Sequence, residues 1–349
     1  MPEIKSITPS DHSTWDQYVL GHDAGGVYLT TAWKEAVEKG YTHRTFYLAA
    51  YNNQTMTGCL PLVLVKPPLS RGNLVSLPFC DYGGILADNH EIAAELLTQA
   101  LALANELQAG LEIRSPISCP VIDQETDFAQ ITDKCRMVLK LPESAATLKA
   151  GFKSKLRSQV NRAGKGGLVS RLGQVELLPN FYRVFSKNMR DLGSPVHSKK
   201  WLLNVISAFD DRSRLGVVYK GDLPVAVGII LLHGNTITIP WASTLREFNR
   251  LSPNMMLYWT FLEFAADHGF RFFDFGRSTP NEGTYAFKKQ WGAQPVPLSW
   301  YRLGGVCHKK IETGAKVDPL RRLVERIWQQ MPLAAANRIG PRLRKYIDR

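Results

Sequence analysis

A short stretch in the second half of the chain gathers polar side chains at the end of an apolar segment. Residues 272–278 read FFDFGRS, so an apolar strand ends in an acid, a glycine, Arg277 and Ser278. A glycine-containing loop follows, and then an aromatic segment that carries Lys288 and Lys289. α/β folds usually place ligands where a buried strand ends. We therefore predict a ligand site here, in which Arg277 and Ser278 hold an anionic group.

The elements that position this stretch occur twice in the sequence. In each copy, apolar runs and turn residues predict a strand hairpin, a third strand, a helix and a last strand. The copies occupy residues 46–114 and 215–275, and Arg114-Ser115 is interpreted as the counterpart of Arg277-Ser278. We predict an α+β (mixed α/β) fold with mixed, largely antiparallel sheets in two tandem domains. The predicted domains are residues 1–141 and 142–305, followed by a basic, amphipathic helical segment at 306–349.

The net charge of +12 is concentrated in two segments. Residues 153–171 contain six basic residues and no acid, and residues 308–349 contain eleven basic residues against four acids. The first segment is predicted to form a helix that carries basic side chains beside an apolar face: Lys153, Lys155, Arg157 and Arg162. Such segments favour an anionic partner, such as phosphate, nucleic acid or lipid headgroups, or they serve only as a solvated surface.

Several common sites are not indicated by the sequence. The five cysteines have neither disulfide nor zinc spacing, so we expect no metal. Asp274-Phe275-Gly276 resembles the magnesium-binding triplet of kinases, but the other kinase motifs are missing, and no GxGxxG, Walker A or GxSxG motif occurs. The first residues lack the apolar core of a signal peptide, and the longest apolar run is too short to span a bilayer. We therefore expect a cytoplasmic protein.

Short motifs along nearly the whole chain support a family resemblance. In chain order they are Trp33, Leu60–Leu62, Ser76–Phe79, Tyr82–Gly84, Asp191–Pro195, Pro253-Asn254, Phe273–Ser278 and Phe287–Gly292. Each motif alone is weak, but the ordered set is specific. It resembles the FemAB-like branch of the GNAT acyltransferases, which includes the peptidoglycan-bridge aminoacyltransferases. Within that branch it is most similar to the FemAB-type proteins associated with exosortase/PEP-CTERM systems.

The resemblance implies two GNAT-like domains and the transfer of an acyl or aminoacyl group to an amine in cell-envelope or exopolysaccharide assembly. It implies that Lys288 stabilises charge in the transfer step. Asp274 would orient or deprotonate the amine, or it would only pair with Arg277. Tyr285 and Trp241 are also predicted to bind substrate, as walls of the cleft, or they belong to the core. Asn254, at a helix start, is a further predicted substrate-binding residue. The basic helix would bind phosphates of a lipid-linked or diphosphate-bearing acceptor.

No cofactor is expected, and the donor stays open among aminoacyl-tRNA, acyl-CoA and acyl carrier protein. The loop Arg246–Asn254 lacks the glycines with which GNAT enzymes hold the pyrophosphate of acetyl-CoA, and Pro253 removes one N–H donor. The coiled-coil arm of some Fem enzymes is also missing, which disfavours direct binding of tRNA. The alternatives are a nucleic-acid-binding protein and a catalytically inactive scaffold with the same fold.

The C-terminal segment is predicted to begin a helix at Asp318-Pro319. Its apolar face comprises Leu320, Leu323, Val324, Ile327, Trp328 and Met331, and arginines lie opposite. A second basic piece follows from Ala336 to Arg349. Two interpretations remain open: the segment packs on the second domain, or it binds anionic lipid and places the protein peripherally on the inner face of the membrane.

Overall fold

The computed structural model of the chain describes residues 2–304 and 319–347. The strands are β1 (Glu3–Ser6), β2 (Arg44–Asn52), β3 (Thr55–Val65), β4 (Asn73–Val75), β5 (Leu86–Ala87), β6 (Gly110–Ser115), β7 (Phe128–Gln130), β8 (Cys135–Lys140), β9 (Leu168–Gly173), β10 (Ser213–Lys220), β11 (Leu223–His233), β12 (Thr236–Thr244), β13 (Phe272–Ser278), β14 (Gln294–Pro297) and β15 (Ser299–Leu303). The α-helices are α1 (His12–Gly21), α2 (Thr31–Tyr41), α3 (His90–Glu106), α4 (Pro120–Asp123), α5 (Ala145–Gly151), α6 (Ser154–Lys165), α7 (Leu178–Asp191), α8 (Lys199–Phe209), α9 (Pro253–Asp267), α10 (Gly283–Lys289), α11 (Pro319–Gln330) and α12 (Leu333–Arg344).

The strands form two sheets that contain the same four-strand arrangement. The first sheet has the order β1-β2-β3-β4-β6-β15-β7, with β5 paired to β3, and the second has the order β14-β8-β13-β12-β11-β10-β9. In the first sheet, β2, β3 and β4 pair antiparallel and β4 pairs parallel with β6. In the second, β10, β11 and β12 pair antiparallel and β12 pairs parallel with β13. In the chain, α3 precedes the parallel strand β6 and α9 precedes the parallel strand β13, so the two helices are equivalent. The predicted α+β fold with an internal repeat is therefore confirmed.

The parallel ladders fix the register between the two copies. Val75 pairs with Glu112, and Thr238 pairs with Asp274, so Glu112 and Asp274 hold equivalent positions. Arg114 then matches Gly276, and the predicted equivalence of Arg114 with Arg277 is wrong by one residue. A shift of one residue moves a side chain to the opposite face of a strand. The two arginines therefore have different environments, although both follow an acid at the end of a strand.

Glycines allow the helix of each copy to lie close to its sheet. Gly216 of β10 pairs with Gly228 of β11, and a Cβ atom at these positions would lie 2.6 and 2.7 Å from the ring of Phe261 on α9. In the first sheet, a Cβ atom at Gly58 would lie 2.6 Å from a methyl group of Ile92 on α3. Phe261 is fully buried. This close packing holds the middle of α9 against β10 and β11.

The chain forms two compact units whose residue ranges differ from those of the predicted domains. One unit contains the residues up to Arg136 and the return of the chain from Val296 through β15, and the other contains Met137–Pro295 with α11 and α12. The predicted second domain extended to residue 305, but β15 belongs to the first sheet because it pairs antiparallel with β6. In the described part of the predicted third segment, α11 and α12 contact α7, and the chain belongs to the second unit as far as Lys345. Asp318, Cys307 and residues 348–349 lie outside the described residues.

The linking region and the cysteines have mainly structural surroundings. The predicted basic helix is α6, which buries Leu156, Val160 and Ala163, whereas Phe152 lies in the break between α5 and α6. The chain leaves α6 through Gly167, whose φ of +68° suits a glycine. The four described cysteines are buried: Cys59, Cys80, Cys119 and Cys135. Among the helices of residues 2–304 and 319–347, none combines the length and apolarity that crossing a bilayer requires.

Candidate functional site

The end of β13 is bent at Gly276. The φ of Gly276 is +73°, in the left-handed region that a residue with a side chain rarely adopts. The carboxylate of Asp274 accepts a hydrogen bond from the N–H of Gly276 at 2.8 Å, as in an Asx-turn. Phe275, between them, stacks on Tyr258 of α9 with ring centroids 5.5 Å apart. The Asp-Phe-Gly triplet therefore has a structural explanation, because it turns the chain at the end of a buried strand.

Lys288 holds the same bend from α10. Its Nζ donates to the carbonyl oxygens of Gly276 and Arg277 at 3.0 and 2.8 Å, and the residue is only 8% exposed. The acid and the lysine therefore bind the N–H and the carbonyl of one residue, Gly276. An ammonium group fixed by carbonyl oxygens in a buried position has a defined direction and a low local dielectric. The predicted catalytic pair, Asp274 and Lys288, thus lies within one small cluster.

The strands that flank this cluster separate at Asp274. The parallel ladder of β12 and β13 consists of three pairs, the last being Thr238 with Asp274, although β12 continues to Thr244 and β13 to Ser278. β12 also bulges, because two of its residues lie between the partners of Ile229 and Leu231. One of the two is Pro240, which has no N–H to give to a ladder. The cluster therefore lies where the two central strands diverge.

The other residues predicted beside the cluster lie on neighbouring elements. Arg277 is half-buried and Ser278 is buried at the end of β13. Tyr285 lies on α10, half-buried, and the Lys289 ammonium is 5.7 Å from its ring centroid. Asn254 lies at the start of α9, where its side-chain oxygen accepts the N–H of Met255. The structure thus brings Arg277, Ser278 and Tyr285 to the strand end and α10, and gives Asn254 a local contact in its own helix turn.

Trp241 lies in a different aromatic group. Its ring meets His197 edge-on with centroids 5.8 Å apart, and His197 stacks on Trp201 at the same distance. Arg344 of α12 donates to Nε2 of His197 at 3.1 Å. Burial, with the charge of Arg344 beside it, holds the pKa of His197 well below its usual value, so the ring is neutral. These contacts favour the interpretation of Trp241 as a core residue.

The basic helix α6 presents one polar face. Arg157 donates to the carbonyl oxygens of Ala150 and Phe152 at 2.9 and 2.7 Å, so it caps the end of α5. Lys153, Lys155 and Arg162 are exposed. An open depression of about 470 Å³ is lined by Ser154, Arg157, Ser158, Asn161, Arg162 and Lys165. This lining contains no acid, and the predicted phosphate contacts of Arg157 and Arg162 stay predictions.

The equivalent position in the first unit is filled by ion pairs. The Glu112 carboxylate accepts from Arg114 at 2.7 Å and from Arg302 of β15 at 2.6 Å, and the fully buried Arg114 guanidinium lies 4.3 Å from the ring centroid of Trp300. Burial alone would raise the pKa of Glu112, but the two guanidinium groups outweigh it and lower that pKa. The sequence prediction missed this network. The spacing of Glu112 and Arg114 was a usable signal, because residues i and i+2 share one face of a strand.

Comparison with known proteins supports a duplicated GNAT fold. Residues 150–289 match the family model of the acetyltransferase (GNAT) domain, and this segment of the second unit includes α6, Asp274 and Lys288. No curated protein matches the sequence. The crystal structure of FemX has a TM-score of 0.67 at 18% identity, and the similarity covers 93% of this chain and 100% of FemX.

Two further solved structures share the architecture. A tandem GNAT protein from the clavulanic acid biosynthesis pathway has a TM-score of 0.55 at 11% identity, with 88% of this chain and 99% of that protein covered. The C-terminal domain of a provisionally named lysylphosphatidylglycerol synthetase from Agrobacterium fabrum has a TM-score of 0.57 at 11% identity, with 85% and 92% covered. At these identities the similarity shows the fold, which is that of two tandem GNAT-like domains.

Proposed function

We propose that this protein transfers an acyl or aminoacyl group to an amine acceptor, and that it acts in cell-envelope or exopolysaccharide assembly as a FemAB-like enzyme. The observation that carries the proposal is the Asp274–Gly276–Lys288 cluster at the divergence of β12 and β13, within the segment that matches the GNAT domain. The similarity to FemX, and the motifs shared with FemAB-type proteins of exosortase/PEP-CTERM systems, favour an envelope substrate. The proposed location is the cytoplasmic side of the membrane.

In this proposal Lys288 stabilises the oxyanion that forms when the amine attacks the donor carbonyl. The tetrahedral adduct then collapses to the amide, the bond between the acyl carbon and the donor breaks, and the donor leaves as its hydroxyl or thiol. Two carbonyl oxygens fix the direction of the Lys288 ammonium group before the substrate binds. A preorganised cation needs little rearrangement in the transition state, which is the main advantage of such groups. Asp274 orients the attacking amine or receives its proton, and Arg277 and Ser278 bind an anionic part of the substrate. The polar face of α6 binds phosphates of the donor or of the acceptor.

The start of α9 favours a donor other than free acyl-CoA. A pyrophosphate would need backbone N–H groups at this helix end. Pro253 has none, and the N–H of Met255 is bonded to the side chain of Asn254 and to the carbonyl of Ser252. Ser252 has a φ of +58° and its side chain does not cap the helix. This argument disfavours acyl-CoA but neither acyl carrier protein nor aminoacyl-tRNA, and the missing coiled-coil arm disfavours direct binding of the tRNA.

The experiment supplies each donor class with a labelled acyl group and an envelope extract rich in amine acceptors. Transfer of label is measured by mass spectrometry for the wild type, Lys288→Met, Asp274→Asn and Lys289→Met. Lys289 is the matched control, because it is an exposed lysine adjacent in sequence. We expect the Lys288 variant to lose on the order of 10²–10³ in rate, which is typical of removing one oxyanion donor.

Two results would count against the proposal. If no donor class gives transfer with the wild type, the protein is better described as an inactive scaffold. If Lys288→Met and Lys289→Met transfer label equally well, Lys288 has no catalytic role. A fall in rate confined to Asp274→Asn would assign the chemistry to the acid and leave the lysine with a structural role.

A further inference from the structure

We propose that the outer faces of α11 and α12 form a surface that binds an anionic lipid bilayer. This inference is independent of the reaction that the second unit catalyses. It combines two features of the same helices: they are held to the second unit through one set of residues, and they present large apolar side chains beside arginines on another.

Specific contacts hold the two helices in place. Trp328 is buried, and Arg190 of α7 donates to the carbonyl of Met331 between the helices at 3.0 Å. On α12, Arg344 donates to His197, and a Cβ atom at Gly340 would lie 3.1 Å from the backbone of Val196. These residues define the inward faces. The predicted packing of the segment on the second unit is therefore present, but only part of the predicted apolar face takes part in it.

Five large apolar side chains of the helices are exposed. They are Leu323 (53%), Val324 (54%) and Ile327 (57%) on α11, and Ile339 (41%) and Leu343 (44%) on α12. Single exposed apolar residues are ordinary on protein surfaces, but a concentration on two consecutive helices indicates an interaction site. The three residues of α11 lie at i, i+1 and i+4, so they form one stripe beside the buried Trp328.

The charge beside this stripe selects the partner. Arg322 and Arg326 are exposed on α11, four residues apart, and Arg338 and Arg342 are exposed on α12 with the same spacing. Glu325 is the one acid in the sequence from 319 to 347, and it lies against Gly193 on the inward side. Arginines beside an apolar stripe match the arrangement of helices that lie in the interface of an anionic membrane. Nucleic acid would engage the arginines but would leave the stripe in water.

The test is co-sedimentation of the full chain with vesicles of phosphatidylcholine alone and of phosphatidylcholine with 30% phosphatidylglycerol. The wild type should bind the anionic vesicles and release them at high salt. Arg322→Gln with Arg326→Gln should lower the binding roughly 30-fold, at the usual contribution of two basic residues near such a surface. Leu323→Glu with Ile327→Glu should abolish binding.

The matched control is Val169→Glu with Leu203→Glu, which changes two exposed apolar residues of the second unit outside this surface. This control should bind vesicles like the wild type. All variants should have the far-ultraviolet circular dichroism spectrum and the urea midpoint of the wild type. Equal binding to neutral and anionic vesicles, no binding to either, or the same loss in the control would overturn the proposal. A further result would also overturn the proposal. If the wild type binds no vesicles but self-associates on light scattering, and Leu323→Glu with Ile327→Glu loses that self-association, the stripe is a contact between copies of the chain. None of these outcomes affects the acyl-transfer test.

Discussion

Replacement of Lys288 by Met tests the structural contribution of this lysine when stability, and not the rate of transfer, is measured. Methionine has a similar length and no charge, so it keeps the apolar stem of the side chain and removes the ammonium group. The carbonyl oxygens of Gly276 and Arg277 then lose donors at 3.0 and 2.8 Å. The bend at Gly276, with its φ of +73°, loses the support that comes from α10.

The expected magnitude follows from those two bonds. A hydrogen bond to a charged group contributes about 1.5–3 kcal/mol, so the loss of two such bonds costs roughly 3–6 kcal/mol. Methionine avoids the desolvation of a buried ammonium, which offsets part of that loss. We expect a net decrease of about 2–4 kcal/mol in the free energy of unfolding of the second unit.

Urea denaturation followed by circular dichroism measures this decrease, and hydrogen exchange of the amides of residues 276–278 locates it. The control is Lys289→Met, whose side chain is exposed and lies near the ring of Tyr285. Its unfolding free energy should change by less than about 0.5 kcal/mol, as for most surface substitutions. If the two variants unfold at the same urea concentration and exchange equally at residues 276–278, the bonds of Lys288 to the strand end contribute no stability and our reasoning about the site fails.

Two further predictions concern buried titratable groups. Glu112→Gln should destabilise the first unit by about 3–5 kcal/mol in urea titrations, because the buried Arg114 and the half-buried Arg302 lose the carboxylate between them. A loss no larger than that of Glu35→Gln, which removes an exposed ion pair with Lys39, would contradict this. The pKa of His197 is lowered by burial, so the unfolded chain takes up a proton near pH 6.5 before the folded one does. The free energy of unfolding should therefore fall by up to about 1.4 kcal/mol per pH unit from pH 6.5 to 5, which is above the pH range in which Glu112 titrates. His197→Gln should flatten this slope. An unchanged slope in that variant would show that other groups cause it.

The sequence predicted the repeated elements well because their signals are local. Apolar runs, the turn at Gly221-Asp222 and the helix that begins at Pro253 each depend on neighbouring residues, and the structure has them close to their predicted positions. Strand pairing depends on residues far apart in the chain, and there the prediction failed. Nothing near Ser299–Leu303 indicates that β15 pairs with β6. The offset of one residue, by which Arg114 matches Gly276 and not Arg277, appears only in the pairing of the strands.

The site could be predicted only in part, because local motifs indicate its side chains but not their partners. A lysine after an aromatic residue can be located by its motif, and Lys288 does reach the end of β13. Its partners could not be foreseen, because they are backbone carbonyls, which every residue possesses. Arg157 shows the same limit: the sequence indicated a phosphate ligand, which stays a prediction, but it did not indicate that the side chain donates to the carbonyls of Ala150 and Phe152.

The two copies use the same position in opposite ways, and this difference favours the second as the reactive one. In the first, the acid at the strand end binds Arg114 and Arg302, and Trp300 lies over the Arg114 guanidinium. Two of these three residues come from β15, a strand more than a hundred residues further along the chain, so a ligand there would have to displace a packed strand. In the second, the acid binds the N–H of Gly276, and the cation comes from the seven-residue α10 that follows β13 after a short loop. A cation on a short helix at the end of a diverging strand can stay fixed while a substrate enters beside it. We infer that the first copy retained the fold and filled its site, and that the second kept the geometry in which a carbonyl can be attacked.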